Sequence, residues 1–270
     1  MWLRPLLIRT LDSDVHFYTE IGGKVEPRHF VSMASQPDKL RPSRMSDAKK
    51  AAKDGEIWRP SVTTVLNVLD KAALTNWKID QHLKTAHGMD FDYVGTTDCP
   101  AYISEIKRLT ELEMDKAPSA GTDFHKSMEM YLLSTLPDSH EHYALCRNVH
   151  AVILEKNGGI TGQYVPEMNF VSDMGYGGQI DLLTPCPIVL DYKTKQTADK
   201  FKPSKMAYND HRMQLGAYRN GIKLPQARCA NIFVCLEDGQ IDFHEHKEED
   251  LQKGWAMFQH ALAIWKLQNL

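Results

Sequence analysis

The sequence lacks any long uninterrupted apolar run. Its apolar segments are short and broken by charged residues, so no membrane-spanning helix is predicted. The segment Met1–Pro5 does not lead into the long apolar core of a signal peptide. We therefore expect a cytoplasmic protein with no membrane partner.

Other absences exclude further classes. No Gly-x-x-x-x-Gly-Lys-Ser/Thr phosphate loop occurs, so the chain carries no P-loop motor of its own. The five cysteines, at positions 99, 146, 186, 229 and 235, include no Cys-x-x-Cys pair, and we interpret them as reduced thiols. Repeats and low-complexity tracts are missing, and 25% charged with 42% hydrophobic residues is typical of a globular protein rather than a disordered one.

The chain also has little net charge. A value of −3 argues against a simple basic nucleic-acid-binding protein, because such proteins gain affinity by neutralising phosphates. The local charge is different between positions 193 and 223, where eight basic and two acidic residues give a net charge of 8 − 2 = +6. These basic residues are Lys193, Lys195, Lys200, Lys202, Lys205, Arg212, Arg219 and Lys223.

A predicted reversal of the chain brings two acidic residues together. Pro185 and Pro187 cannot continue a β-ladder, so the flanking apolar runs are predicted to pair as a hairpin. Centring the reversal between residues 185 and 186 places Asp181 opposite residue 190. Asp181 and Asp191 then lie roughly 5–8 Å apart, within one diagonal step of the ladder.

Strand alternation adds cations to this pair. Lys193, and Lys195 beyond it, share a face with Asp191 because side chains two apart point the same way. Two carboxylates suit Mg²⁺ or Mn²⁺, which prefer oxygen ligands, and a lysine suits the charge that develops on a phosphate during hydrolysis. The alternative is a surface hairpin with an ordinary ion pair, which an Asp-Tyr-Lys sequence alone would favour.

The motifs around these residues occur in a recognisable order. They are Gly-Thr-Asp-Phe-His ending at His125, Gly-Gln-Ile-Asp ending at Asp181, Asp-Tyr-Lys at 191–193 and Gln-Leu-Gly-Ala-Tyr at 214–218. In this order the sequence resembles the PD-(D/E)XK nuclease superfamily, in its RecB-type exonuclease branch, which includes mitochondrial and phage exonucleases. The segment Pro60–Leu66 is similar to the amino-terminal part of these exonucleases.

The resemblance implies roles for individual residues. Asp181 and Asp191 would be metal ligands, joined by the carbonyl of Tyr192 and by His125, and Lys193 would be catalytic. Apart from the resemblance, a lone histidine on an inward helix face is more often a core residue than a ligand.

Helix patterns support part of this assignment. Ser119 or Thr122 is predicted to cap the helix that carries His125, whose inward face also includes Met128 and Leu132. The inward face is apolar, so the histidine is expected to point into the protein.

A second helix is predicted from near Asp210 to Asn220. The resemblance implies that its Gln214 braces the active-site strand and that Tyr218 supports the site, although ordinary amphipathic packing explains the same spacing. Glu167 matches the position of an acidic residue common in this branch, where it would approach the metal or flank it.

Contacts to nucleic acid are expected in the segment Pro60–Leu66, which is similar to these exonucleases, and in the basic stretch 193–223. These residues are Ser61, Thr63, Lys195, Lys200, Lys202, Lys205 and Arg212. Phe201 or Tyr208 is a candidate for stacking on a base. A solvated charged loop is the alternative.

The sequence predicts an α/β fold: a PD-(D/E)XK, restriction-endonuclease-like core with a mixed central β-sheet flanked by helices. Residues 1–58 form a predicted amino-terminal appendage, with strands near 6–10 and 15–19 paired as a hairpin and a polar loop or short helix at 36–56. Residues 59–270 form the nuclease domain. Asp238-Gly239 predicts a type I′ hairpin, and a final covering helix is predicted from near Glu248.

The function implied by the resemblance is metal-dependent DNA exonuclease activity with Mg²⁺ or Mn²⁺, on single strands or duplex ends, in replication, recombination or repair. An endonuclease of the same fold and a catalytically silent nucleic-acid-binding module are alternatives. Some relatives hold an iron–sulfur cluster, but Cys229 and Cys235 are the only close cysteine pair, so no cluster is expected. Any unwinding would come from a helicase or replication partner, in the bacterial host cytosol if a phage encodes the chain.

Overall fold

A computed structural model describes residues 16–33, 36–69, 72–89, 99–114, 116–203 and 206–270. Within these ranges, the apolar stretches of the helices are too short or too polar for any of them to cross a bilayer. The strands are β1 (Phe17–Ile21), β2 (Lys24–Pro27), β3 (Phe30–Met33), β4 (Gln36–Pro42), β5 (Arg59–Pro60), β6 (Val165–Ser172), β7 (Tyr176–Leu183), β8 (Ile188–Lys195), β9 (Arg228–Cys235) and β10 (Ile241–Glu245). The helices are α1 (Met45–Lys53), α2 (Val62–Leu66), α3 (Ala72–Gly88), α4 (Cys99–Met114), α5 (Lys116–Leu132), α6 (Tyr143–Lys156), α7 (Asn209–Gly221) and α8 (Glu248–Asn269).

The central sheet has five strands in the order β10-β9-β8-β7-β6. Strands β8 and β9 are parallel, and the other neighbours are antiparallel. The parallel pair requires a crossover, which α7 supplies between the two strands. The predicted fold class, a mixed central sheet flanked by helices, is confirmed.

Helices cover both faces of this sheet. Helices α2, α7 and α8 contribute to one buried cluster, and α5 and α6 contribute to the other. Strand β8 shows why both faces are apolar: Val189 packs in the first cluster, whereas Leu190 and Tyr192 pack in the second. Asp191 therefore lies on the α7 side of the sheet, by alternation from Leu190 and Tyr192.

The reversal predicted at the two prolines is confirmed, but its register is not. Thr184 closes the turn, because its Oγ1 accepts the Ile188 backbone N–H at 3.0 Å. Leu182 pairs with Leu190, so the predicted pairing of Asp181 with residue 190 is wrong by one residue. The two prolines correctly predicted where the chain reverses. The exact register of the turn goes with the hydrogen bond that Thr184 accepts.

The amino-terminal strands differ from the expected hairpin. Strand β1 has β2 on one edge and β5 on the other, and Gly22-Gly23 forms the turn between β1 and β2. Both glycines have positive φ, the conformation that glycine adopts most easily. The strand predicted near 6–10 lies outside the described residues.

The predicted boundary at residues 58 and 59 stays a prediction. Strand β1 pairs with β5 across it, and Ser61 forms an isolated bridge with Gly177 of the central sheet. Phe17 is fully buried in the same cluster as α2, α7 and α8. The described part of the segment thus shares a core with the rest of the chain.

Several other expectations are corrected. The polar stretch 36–56 contains strand β4, paired with β3, before helix α1. Helix α5 begins at Lys116, so neither Ser119 nor Thr122 caps it. The turn after β9 is not type I′, because Gly239 has a positive φ and Asp238 does not. The final helix does begin at Glu248, as predicted.

Glycines allow α7 and α8 to cross closely. A Cβ atom at Gly254 of α8 would lie 2.4 Å from the backbone oxygen of Arg212 in α7. At Gly216 of α7, a Cβ would meet the Leu251 oxygen and the Trp255 nitrogen at 3.1 Å. Side chains larger than hydrogen would therefore separate the two helices.

We expect Gly254→Ala to lower the free energy of unfolding by about 1–3 kcal/mol, because backbone cannot move aside as a flexible side chain can. Urea denaturation followed by circular dichroism measures this. Gly88→Ala is the matched control, since a Cβ atom there would meet no atom of the described residues within 4 Å and alanine favours helix. Equal midpoints for the two variants would contradict the close crossing.

Candidate active site

The site forms where the ladder between β6 and β7 is interrupted. Pro166 pairs with Leu182 and Met168 pairs with Ile180, but Glu167 and Asp181, which lie between these pairs, do not pair with each other. Glu167 has φ +49°, a left-handed conformation that is uncommon for a residue with a side chain and costs of order 1 kcal/mol or more. A strained acidic residue opposite a second acidic residue indicates a functional position.

Asp181 also departs from regular pairing with β8. Its Oδ2 accepts a hydrogen bond from the Tyr192 backbone N–H at 2.7 Å. The regular pairing of the two strands is limited to Leu182 with Leu190 and Leu183 with Val189. The same oxygen lies 3.5 Å from His125 Nδ1 on α5. The carboxylate therefore links the sheet to the helix that was predicted to carry a ligand.

Three side chains form a candidate metal centre. Ligand atoms of His125, Glu167 and Asp181 all lie within 4.8 Å of one another, and each side chain is partly buried. One imidazole nitrogen and two carboxylates form a donor set that suits Mn²⁺ and Mg²⁺. Asp191 is not in this group, and its assignment as a metal ligand stays a prediction.

The two carboxylates of this centre are costly to ionise. Burial, with the negative charge of Asp181 adding to it, raises the pKa of Glu167 to about 8. Burial, with Asp191 adding to it, raises the pKa of Asp181 to about 6, although His125 and Lys193 act in the opposite direction. A site that concentrates negative charge in this way favours a cation.

Asp191 and Lys193 form a tight pair beside this centre, as their spacing on one strand face predicted. Lys193 Nζ lies 2.8 Å from Oδ1 and 2.7 Å from Oδ2 of Asp191, which is 2% exposed. Burial lowers the pKa of Lys193, but the charges of Asp191 and Asp181 outweigh it and the net pKa lies above its ordinary value. Lys193 is therefore an ammonium at neutral pH.

Gln214 and Tyr218 approach this pair from α7. Lys193 Nζ donates to Gln214 Oε1 at 3.5 Å, and Gln214 Nε2 donates to the Tyr218 hydroxyl at 2.8 Å. Burial raises the pKa of Tyr218 well above its usual value, so the hydroxyl stays neutral. The predicted helix thus brings both residues to the site strand.

The Tyr192 side chain points away from the pair. It is buried against α5, with its ring centroid 5.6 Å from that of His125 and 6.0 Å from that of Phe124. Its packing fixes the backbone whose N–H reaches Asp181. A role for its carbonyl as a ligand stays a prediction.

The residues predicted to contact nucleic acid differ in accessibility. Ser61 is buried and caps α2 by accepting the Thr64 N–H at 3.0 Å, whereas Thr63 is exposed. Lys200 and Lys202 are exposed and Lys195 is partly exposed. Lys205 lies outside the described residues.

The two candidates for stacking on a base also differ in their exposure. Phe201 is buried among residues that include Phe233, so it offers no free face to a base. Tyr208 is 57% exposed at the start of α7. Of the two aromatic residues, only Tyr208 is exposed, and its stacking on a base stays a prediction.

The basic stretch carries less free charge than its composition suggested. Acidic residues outside the stretch pair with three of its cations: Asp250 with Arg212, Glu248 with Arg219 and Asp173 with Lys223. Arg219 is also 3% exposed in its side chain and serves the core. Among the described residues of this stretch, Lys195, Lys200 and Lys202 are partly or fully exposed lysines that precede α7.

Sequence patterns missed three residues at the site. Tyr18, from the predicted appendage, is 4% exposed, and burial raises its pKa, with Glu167 and Asp181 adding to the effect. Asn231 donates to Asp191, and His246 contacts Asn231. Asn231 is marked in the sequence only as a polar residue in the apolar strand β9, and no local pattern identifies its partners or marks Tyr18 and His246.

Comparison with family models and with curated proteins finds no match. Among solved structures, SSO0001 aligns over 67% of this chain and 83% of its own, with 15% identity and a TM-score of 0.29. A protein of Eubacterium rectale described as a candidate exonuclease aligns over 54% of this chain and 67% of its own, with 12% identity and a TM-score of 0.37. Both structural similarities are too low to indicate a function for this chain.

We expect Glu167→Gln to stabilise the metal-free protein at high pH. The native pKa of Glu167 is about 8 against an ordinary value of 4.5, so the native state binds more protons between these values. Stability is then lost as pH rises through this window, a loss that glutamine avoids. In EDTA at pH 8 the variant should gain roughly 1–2 kcal/mol, allowing for partial exposure, and the gain should shrink towards pH 5.

Unfolding in urea at pH 5, 6, 7 and 8 measures this difference. Glu155→Gln is the control, because the Glu155 side chain is 72% exposed and its variant should show no such pH-dependent gain. A Glu167→Gln protein less stable than the wild type at pH 8 would show that the carboxylate is compensated in the native state.

Proposed function

We propose that this protein is a metal-dependent deoxyribonuclease of the PD-(D/E)XK superfamily, and in particular an exonuclease of the RecB-type branch. The observation that carries the proposal is the approach of two charged groups. An acidic centre of His125, Glu167 and Asp181 lies beside the Asp191–Lys193 pair, joined to it through the Tyr192 backbone.

The acidic centre fits Mg²⁺ or Mn²⁺. His125, Glu167 and Asp181 would hold the cation, with Asp191 and the Tyr192 carbonyl as the further ligands that the sequence motifs imply. When bound, the cation supplies positive charge for the scissile phosphate and for the attacking water. No iron–sulfur cluster is proposed.

Lys193 supplies the second positive charge. Its ammonium stays protonated, and Asp191 and Gln214 hold it on the strand face. Placed against a phosphodiester, it donates a hydrogen bond to a non-bridging oxygen and offsets the charge that builds up as water attacks phosphorus. Tyr218 fixes the Gln214 amide and so limits the positions that Lys193 adopts.

DNA would approach along the lysines before α7. Lys195, Lys200 and Lys202, with Lys205, would follow the phosphates, and the exposed Tyr208 would stack on a base. Thr63 and Arg212 would add contacts at the edges of this path, and Ser61 would act indirectly, by capping α2. Single strands or duplex ends are the proposed substrates, with strand opening supplied by a helicase or replication partner in the cytoplasm.

We expect the purified protein to degrade linear DNA in Mg²⁺ or Mn²⁺ and to be inactive in EDTA. The substrates are 5′-labelled linear, 3′-labelled linear and circular single-stranded DNA, because an exonuclease requires an end. Lys193→Ala and Asp191→Ala should each lower the rate by roughly 100-fold or more, since each removes charge at the reacting phosphate.

Lys156→Ala is the matched control, because Lys156 is an exposed lysine that pairs with Glu155, and neither residue belongs to the proposed site. Cleavage of circles would make the enzyme an endonuclease. DNA binding without cleavage by the wild type, on every substrate and with either metal, would overturn the catalytic proposal and favour a binding module.

A further inference from the structure

A buried polar row extends the Asp191–Lys193 pair across the sheet. Asn231 Nδ2 donates to Asp191 Oδ2 at 2.7 Å, and Asn231 is 0% exposed. Its Oδ1 lies 2.7 Å from His246 Nε2. Asp191 thus receives hydrogen bonds from Lys193 on its solvent side and from Asn231 on its buried side.

Sheet register creates this row. In the parallel pairing of β8 with β9, Asp191 is directly opposite Asn231, so their side chains share a face. His246 follows β10, and its backbone N–H donates to Cys229 O, which extends the ladder by one residue. Three strands therefore bring the carboxylate, the amide and the imidazole together.

The Asp191 carboxylate can only accept hydrogen bonds, so the Asn231 amide turns its nitrogen towards Asp191 and its oxygen towards His246. The amide oxygen needs a donor, which favours the His246 tautomer with its N–H at Nε2. The reversed amide would place its oxygen against the carboxylate. Burial lowers the pKa of His246 to about 4, which keeps the ring neutral with a single N–H to donate.

We propose that Asn231 and His246 are positioning residues for the Asp191 carboxylate and, through it, for the Lys193 ammonium. The inference rests on the proposed nuclease function. Without the Asn231 donor, one oxygen of a nearly fully buried carboxylate loses a partner that water cannot replace. The carboxylate then rotates towards other donors, and Lys193 moves with it.

The chain offers variants that separate this role from packing. Asn231→Asp keeps the shape of the side chain but replaces the donor by an acceptor. His246→Gln keeps an N–H donor for the Asn231 oxygen, whereas His246→Leu removes it. His244→Gln is the matched control, because its ring contacts His246 at a centroid distance of 4.7 Å from the same strand edge.

We expect Asn231→Asp and His246→Leu to lower kcat on linear DNA by roughly tenfold to 100-fold with little change in KM, a size typical of groups that orient a ligand. His246→Gln should retain most of the wild-type kcat, and His244→Gln should match the wild type. Calorimetric titration with Mn²⁺ alone should show weaker binding to Asn231→Asp than to the wild type. Circular dichroism confirms that each compared variant is folded.

Wild-type kcat together with wild-type Mn²⁺ affinity in Asn231→Asp would overturn the inference. Equal losses in His246→Gln and His246→Leu would also overturn it, since only packing would then matter. A wild type that cleaves no DNA would instead reject the proposed function, and the Mn²⁺ titration of Asn231→Asp would still test the positioning of Asp191.

Discussion

The hydrogen bond from the Tyr192 backbone to the Asp181 carboxylate is the contact on which the arrangement of the site depends. A backbone N–H that would otherwise pair between strands is satisfied by a side chain, so β7 and β8 can separate without leaving a buried donor unpaired. The same carboxylate lies close to His125 of α5 and to Glu167 of β6. The regular pairing of the central sheet is thus interrupted at the position of these polar groups.

The charges of the site are divided into two parts with different energetics. Asp191 has Lys193 and Asn231 as partners, so its charge is compensated within the protein. Glu167 and Asp181 have raised pKa values and lack comparable compensation among the described residues. Stability and the proposed metal binding therefore make opposite demands on Glu167, a pattern typical of functional sites. The fold tolerates this because the cost is confined to one interrupted pair of a large sheet.

Sequence reasoning predicted much of this arrangement from local rules. Proline chemistry located the β7–β8 turn, alternation placed Lys193 with Asp191, and helical spacing placed Gln214 with Tyr218. The register was wrong by one residue because Thr184 caps the turn, and no local pattern reports that contact. Pairings across distant strands, such as Asp191 with Asn231, depend on the parallel crossover and have no sequence signature.

The close contact between α7 and α8 at two glycines gives the final helix an indirect effect on the proposed chemistry. Arg212, whose backbone oxygen faces Gly254, stands two residues before Gln214 on the same rigid helix. A displacement at the crossing is therefore transmitted to the amide that holds Lys193. Loss-of-function variants in the last helix would mimic catalytic lesions, although their primary defect is the distance between two backbones.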